Sequence, residues 1–174
     1  MSDRIEGYAD AMLAVARAEG NVERISDELF AVGRAVEGND DLRAALSDAR
    51  IPADRRMQIV DDLLDGRTQP ATKGLISMVV GAGRGGDLAK IAATVADQAA
   101  QAQGKQVATV RSAVALSDDQ RNRLATALAQ KLGTEVDVKV IQDPSVVGGL
   151  ITTVGDTVID GSVRTRLNRL REAL

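Results

Sequence analysis

The spacing of apolar residues changes once along this chain, close to Gly104, and this change limits the possible folds more than any other feature. Before it, apolar residues recur every three or four positions, which is the repeat of an α-helix with one buried face. After it, residues 106–114 are rich in β-branched side chains, and residues 136–140 alternate valine with polar residues. The sequence therefore predicts a helical domain over residues 1–104 and a smaller domain of mixed α and β structure over residues 105–174.

The first part contains six segments with helical spacing, each bounded by glycine, proline or a residue that caps helices. Asn21 is the expected N-cap of the second helix, and Pro70 is expected in the first turn of the fifth, where proline is tolerated. The short connections predict an N-terminal six-helix bundle. The predicted segments are 5–20, 22–38, 42–46, 52–66, 70–80 and 88–99.

One helix of the second part carries signals at both ends. Ser117 and Gln120 have the spacing of a capping box, in which each side chain bonds to the backbone N–H of the other residue. Gly133 follows the last leucine of this segment and is expected to end the helix. The helix therefore lies between the two predicted strands, residues 106–114 and residues 136–140.

A β-hairpin is predicted near the end of the chain. Residues 150–154 and 157–160 flank Gly155 and Asp156, and glycine supplies the positive φ that a type II′ turn needs at its first central position. Ser162 is expected to cap a last helix. The predicted fold class is mainly α, followed by a small α+β domain with a β-hairpin.

Composition narrows the classes of function. The chain has no histidine and no cysteine, so the usual general base, the reactive thiol and the commonest metal ligands are missing. A net charge of −3 and only two aromatic residues argue against nucleic-acid binding. No apolar stretch approaches the roughly 20 residues that cross a bilayer. We expect a cytoplasmic, non-catalytic interaction protein with no cofactor, no metal site and no direct membrane insertion.

One motif favours an alternative function. Residues 81–86 match G-x-G-x-x-G, a pattern typical of dinucleotide-binding loops. That site also requires a preceding strand and an acidic residue about 20 positions further on, where Gln101, Gln103 and Lys105 stand instead. A flexible joint between two helices is the preferred interpretation, and a nucleotide-binding enzyme or a generic helical adaptor are the alternatives.

Two segments leave a core role and a binding role open. Tyr8 lies on the apolar stripe of the first helix, among alanines that would let a foreign helix approach, so it belongs either to the core or to the wall of a groove. The last helix carries several arginines, which form either a solvated helix end or a surface for an acidic or helical partner.

Two runs of residues resemble one protein family. Residues 143–150, 154–156 and 158–164, together with Leu167, resemble the C-terminal signature of the delta subunit of bacterial F-type ATP synthases, called the oligomycin sensitivity-conferring protein in mitochondria. Residues 8–16 resemble the opening helix of the same family. The resemblance implies a peripheral-stalk, or stator, subunit without its own active site. Such a subunit links the catalytic head to the membrane-anchored stalk during proton-driven ATP synthesis.

The resemblance also implies binding surfaces in both parts. The helical domain would bind the N-terminal helix of an α subunit in a groove between its first and fifth helices. The second domain would face b-type stalk subunits through the last helix, on the cytoplasmic face of the plasma membrane. The implied α-subunit contacts are Tyr8, Ala9, Met12, Leu13, Leu75, Ile76 and Val79. The implied stalk contacts are Val163, Arg164, Leu167 and Leu170, with Gly148, Gly149, Gly155, Asp156 and Ser162 in structural roles.

Overall fold

The computed structural model describes residues 2–162 of the 174-residue chain. These residues are mainly helical, with one small four-stranded sheet in the second part. The chain separates into two compact units, residues 1–99 and residues 100–174, and each is considered by itself. No helix within residues 2–162 has the length and apolarity needed to cross a membrane.

The helices of the first part alternate with short connections, as their spacing predicts. A single 3₁₀ turn, Gly85–Asp87, precedes the last of them. The helices are α1 (Ser2–Ala18), α2 (Val22–Glu37), α3 (Asp40–Ser47), α4 (Ala53–Leu64), α5 (Pro70–Gly81) and α6 (Leu88–Gln101).

The core of the first unit is built almost wholly from aliphatic side chains. Met12 of α1, Leu29 of α2, Ile76 of α5 and Ile91 of α6 are among its fully buried members. Burying a side chain of this size contributes about 1.5–3 kcal/mol relative to leaving it exposed. The apolar stripes predicted from the sequence therefore face one common core.

The helix ends confirm some predicted signals and correct another. Pro70 occupies the first turn of α5, as predicted. Asn21 precedes α2, but its side chain makes no capping hydrogen bond. An N-cap residue normally has an extended backbone, and the φ of −135° and ψ of 43° at Asn21 lie outside that region. Asn39 does cap α3, where its side-chain oxygen accepts a hydrogen bond from the Leu42 N–H at 3.0 Å.

Glu28 connects α2 to the beginning of α5, a contact that the sequence pattern does not reveal. Its Oε2 atom accepts hydrogen bonds from the Thr72 hydroxyl at 2.6 Å and from the Gln69 backbone N–H at 2.9 Å. Arg24 donates to its other oxygen at 3.1 Å. Burial acts to raise the pKa of Glu28, but these hydrogen bonds outweigh it and hold the pKa below its ordinary value. The carboxylate thus satisfies backbone and hydroxyl donors at the N-terminus of α5.

The glycine-rich joint between α5 and α6 lies directly on α3. A Cβ atom added to Gly85 would lie 2.3 Å from the backbone oxygen of Leu46, so no other residue fits there without movement of the backbone. Gly85 is buried. At this position glycine is required by close packing between two backbone segments.

The second unit contains a mixed sheet with strand order β2-β1-β3-β4. β1 pairs in parallel with β2, from Lys105 opposite Glu135 to Ser112 opposite Gln142, and antiparallel with β3. β3 and β4 form the predicted hairpin. The strands are β1 (Lys105–Ser112), β2 (Glu135–Gln142), β3 (Leu150–Val154) and β4 (Thr157–Asp160). β1 ends two residues before the predicted 106–114, since its pairing with both neighbours stops at Ser112.

Helix α7 (Asp118–Leu132) connects the two parallel strands and covers one face of the sheet. Ser117 and Gln120 form the predicted capping box, and Gly133 ends the helix with a φ of 73°. Leu128 of α7 packs with Val110 and Val138 in the core of this unit. Both helix-end predictions are therefore confirmed for α7.

Candidate partner-binding surfaces

The positions expected to line a groove between α1 and α5 lie mostly inside the helical core. Tyr8 is partly exposed, whereas the other six are between 0% and 6% exposed. These six are Ala9, Met12, Leu13, Leu75, Ile76 and Val79. These six side chains pack inside the helical unit, and their contact with a partner stays a prediction.

An accessible stripe on α1 runs beside this buried face. Arg4, Tyr8, Ala11 and Val15 are separated by four, three and four residues, so they lie on one side of the helix. Val15 is 40% exposed and is one of the large apolar side chains on the surface of the helical unit. The stripe is apolar except for the arginine at its N-terminal end.

Helix α5 packs against α1 and also presents an accessible apolar side chain. Met78 is 44% exposed. One turn earlier, Gly74 has no atom within 4 Å of the place where a Cβ would lie, so the backbone of α5 is open to close approach. The exposure of Val15 and Met78 was not predicted from the sequence, because helical spacing places both residues at the margin of the buried stripes.

A small cavity lies where the start of α1 meets the joint that follows α5. Its volume is about 120 Å³. Arg84 contributes a guanidinium group whose Nη1 atom lies 3.4 Å from the Asp87 carboxylate. The lining residues are Arg4, Ile5, Tyr8, Arg84, Asp87 and Ile91. The cavity is thus apolar at its walls and carries more positive than negative charge.

In the second unit, Asp143 organises the loop between β2 and β3. Its carboxylate accepts hydrogen bonds from the Ser145 backbone N–H at 2.8 Å and from Arg111 of β1, whose Nε donates at 2.7 Å. The Asp143 N–H donates to the Ser112 oxygen at 2.7 Å. Hydrogen bonds from Ser145 and Arg111 lower the pKa of Asp143 to about 2. The residue ties this loop to the end of β1.

The two glycines that end this loop both have left-handed backbones, with φ values of 68° at Gly148 and 77° at Gly149. A Cβ on Gly149 would lie 2.5 Å from the backbone oxygen of Gly161. The Gly161 N–H donates to the Leu150 oxygen at 2.9 Å, so the two segments run side by side. Only glycine meets both requirements at position 149.

The hairpin turn and the residue after β4 are also placed by the structure. Gly155 has a φ of 54°, while Asp156 lacks a positive φ, which is consistent with a type II′ turn and excludes type I′. Ser162 is buried, and its backbone N–H donates to the Asp160 carboxylate at 2.8 Å. The prediction of a last helix capped by Ser162 concerns residues outside the described part of the chain.

Two exposed valines lie in neighbouring loops at one end of the sheet. Val114 follows β1 and Val147 follows β2, and parallel strands end at the same edge. They are 65% and 56% exposed. The predicted stalk contacts Val163, Arg164, Leu167 and Leu170 fall outside the described residues.

A family model described as "ATP synthase delta (OSCP) subunit" matches residues 5–174. The match covers the α1 stripe from Tyr8 onward together with the Asp143 loop, and so spans both units. The chain belongs to the ATP synthase delta (OSCP) subunit family. The resemblance drawn from residues 8–16 and 143–167 is therefore confirmed.

Relatives in the delta (OSCP) family are similar along nearly the whole chain. A protein of Nocardia farcinica named ATP synthase subunit delta is 40% identical over 168 residues, covering 95% of this chain and 61% of the relative. Its namesake in Streptomyces avermitilis is 38% identical over 173 residues, covering 99% of this chain and 63% of the relative. The chain thus spans about three fifths of the length of these curated relatives.

A solved structure supports the same fold at lower sequence identity. A chain in the cryo-EM structure of the Toxoplasma gondii mitochondrial ATP synthase hexamer has a TM-score of 0.59 and 21% identity to this protein. The alignment covers 97% of this chain and 96% of that chain. The arrangement of helices and sheet is therefore shared with a member of that assembly.

The glycine motif at residues 81–86 lacks the surroundings that dinucleotide binding needs. It follows helix α5, whereas the binding loop must follow a strand inside a βαβ unit. Gly85 is occupied with packing against Leu46. The geometry therefore gives no support to the nucleotide-binding alternative.

Proposed function

We propose that this chain is a non-catalytic peripheral-stalk subunit of an F-type ATP synthase, which links the catalytic head to the membrane-anchored stalk during proton-driven ATP synthesis. The match of the delta (OSCP) family model to residues 5–174 carries the proposal. Relatives named ATP synthase subunit delta support it over almost the whole chain. In this role the subunit transmits force, has no active site and needs no cofactor.

The proposal assigns residues 1–104 to the head, as a six-helix bundle that binds the N-terminal helix of an α subunit along α1 and α5. Among the described residues of the helical unit, Val15, Leu63 and Met78 are the large apolar side chains with notable exposure, and two of the three lie on α1 and α5. Tyr8 and the open backbone at Gly74 continue that surface. An apolar, nearly flat groove of this kind suits an amphipathic helix.

The six buried positions have an indirect role in this proposal. Met12 and Ile76 belong to the buried core of the helical unit, and Leu13 is buried as well. Ala9, Leu75 and Val79 complete the same layer. They form the floor beneath the docked helix, while Tyr8, Val15 and Met78 contact it.

The proposal assigns residues 105–174 to the b-type stalk subunits, as a peripheral part of the complex on the cytoplasmic face of the plasma membrane. Val163, Arg164, Leu167 and Leu170 remain the predicted contacts. The segment before these residues is held by hydrogen bonds at Asp143 and Ser162 and by the close approach of Gly149 to Gly161.

The test is calorimetric titration of the full chain with a synthetic peptide that covers the N-terminal helix of the α subunit from the same organism. Val15→Asp and Met78→Asp should each weaken binding by about tenfold or more, because each buries a charge at the centre of the contact. Leu63→Asp is the matched control, since Leu63 is as exposed as Val15 but belongs to α4 and to neither α1 nor α5.

Binding of the peptide with unchanged affinity to Val15→Asp and Met78→Asp would contradict the groove assignment. Circular dichroism at 222 nm should show the same helical content for all three variants, because each replaced side chain is already exposed. Absence of binding by the unchanged chain would contradict the proposed contact with the head.

A further inference from the structure

Two arginines, one from α1 and one from the joint before α6, line the cavity of about 120 Å³ at the start of α1. Arg4 and Tyr8 line it from α1, and Arg84 and Asp87 line it from the joint before α6. Two isoleucine side chains form its remaining walls. Neither the buried core nor the groove explains why two arginines converge here.

The charges in this cavity are only partly compensated. Arg84 meets Asp87 through one contact of 3.4 Å, and a guanidinium has five N–H donors. Arg4 makes no hydrogen bond or ion pair within residues 2–162. Apolar walls reduce screening by water, so an anion placed between the arginines interacts with them more strongly than on an open surface. The cavity therefore favours a small anionic group.

The position of the cavity connects it to the proposed docking groove. Arg4 and Tyr8 belong to the same α1 stripe as Ala11 and Val15. Arg84 follows the end of α5, the helix that carries Met78. A helix seated along Val15 and Met78 that continues toward the start of α1 reaches this cavity.

We infer that the cavity binds a carboxylate side chain of the docked partner helix. The inference rests on the proposed function, and it adds the chemistry of the partner at one end of the groove. A carboxylate can accept paired N–H bonds from an arginine, and the Tyr8 hydroxyl can donate a further bond. The isoleucines suit the methylene groups of an acidic side chain. A charged contact at one end fixes the register and direction of a helix that an apolar groove alone would hold loosely.

The experiment uses the same α-subunit peptide together with a series in which each Asp or Glu is replaced by Asn or Gln in turn. Arg4→Gln and Arg84→Gln should each weaken binding of the unchanged peptide by about tenfold. Arg17→Gln is the matched control, because Arg17 is an exposed arginine in the last turn of the same helix. It should change the affinity less than twofold.

One peptide variant should lose about as much affinity as Arg4→Gln causes. When that peptide is tested against Arg4→Gln, little further affinity should be lost, and this non-additivity identifies the paired carboxylate. The inference is overturned if Arg4→Gln changes the affinity as little as Arg17→Gln does. It is also overturned if the unchanged peptide binds but the affinity losses of every peptide variant simply add to those of Arg4→Gln and Arg84→Gln. That result leaves the groove itself intact. Failure of the unchanged peptide to bind instead contradicts the proposed function and the inference together.

Discussion

The Asp143 loop and the α1–α5 surface differ in how easily their residues are recognised in the sequence. Asp143, Gly148 and Gly149 form a run that is recognisable at once, and the structure uses them to shape a loop through hydrogen bonds and a close backbone contact. The surface proposed to bind the head consists of Val15, Met78 and neighbouring small residues that form no motif. Residues that identify a family therefore need not be those that contact its partners. Backbone geometry demands particular residues, whereas an apolar contact accepts many.

The largest effect should come from Gly149→Ala in the second unit. The substitution combines a positive φ with a Cβ placed 2.5 Å from the Gly161 oxygen, and we expect a loss of about 3 kcal/mol in the free energy of unfolding of that unit. Native-state hydrogen exchange of amides in β1 and β3 measures it, while amides in α2 report the helical unit separately.

Gly133→Ala is the matched control for that substitution. Gly133 has a φ of 73° but no atom within 4 Å of an added Cβ, so only the backbone cost of about 1 kcal/mol is expected. Equal losses for both variants would mean that the Gly149–Gly161 contact adds nothing, and the loop would then owe its shape to Asp143 alone.

A smaller effect is expected from Glu28→Gln in the helical unit. The amide keeps the shape but loses the charge that strengthens two hydrogen bonds from α2 to the start of α5 and one from Arg24 within α2. Unfolding of this unit should therefore become easier by about 1–2 kcal/mol. Chemical denaturation followed at 222 nm measures this change. Glu19→Gln, at an exposed position after α1, should have almost no effect. A loss as large for Glu19 would assign the effect to net charge.

The smallest expected effect is a loss of stability of the second unit at acid pH. The pKa of Asp143 is about 2 in the folded chain against an ordinary 3.8, so its bonds stabilise the fold fully above pH 3.8. That stabilisation declines as the pH falls from 3.8 toward 2. The difference in unfolding free energy between the unchanged chain and Asp143→Asn should therefore shrink over this interval. A difference that stays constant down to pH 2 would show that the carboxylate charge is unimportant. Arg111→Gln should reproduce the loss, because it removes the main charged partner.

The sequence alone determined the elements of this protein, because each depends on residues close together in the chain. Helical and alternating spacing located the helices and strands. Ser117 and Gln120 defined the start of α7, and Gly155 supplied the turn of the hairpin. These signals operate within a few residues, so no knowledge of the rest of the fold is needed.

Tertiary structure decided which side of each element remains accessible. Met12 and Val15 are both apolar members of α1, and only the packing of α1 against its neighbours buries the first and exposes the second. The bond between Glu28 and Thr72, and the contact of Gly85 with Leu46, join residues about 40 positions apart in sequence. Spacing along a chain carries no information about such distances. The family resemblance assigns the proposed binding surface to α1 and α5, whereas the side chains that remain accessible there depend on how the helices pack.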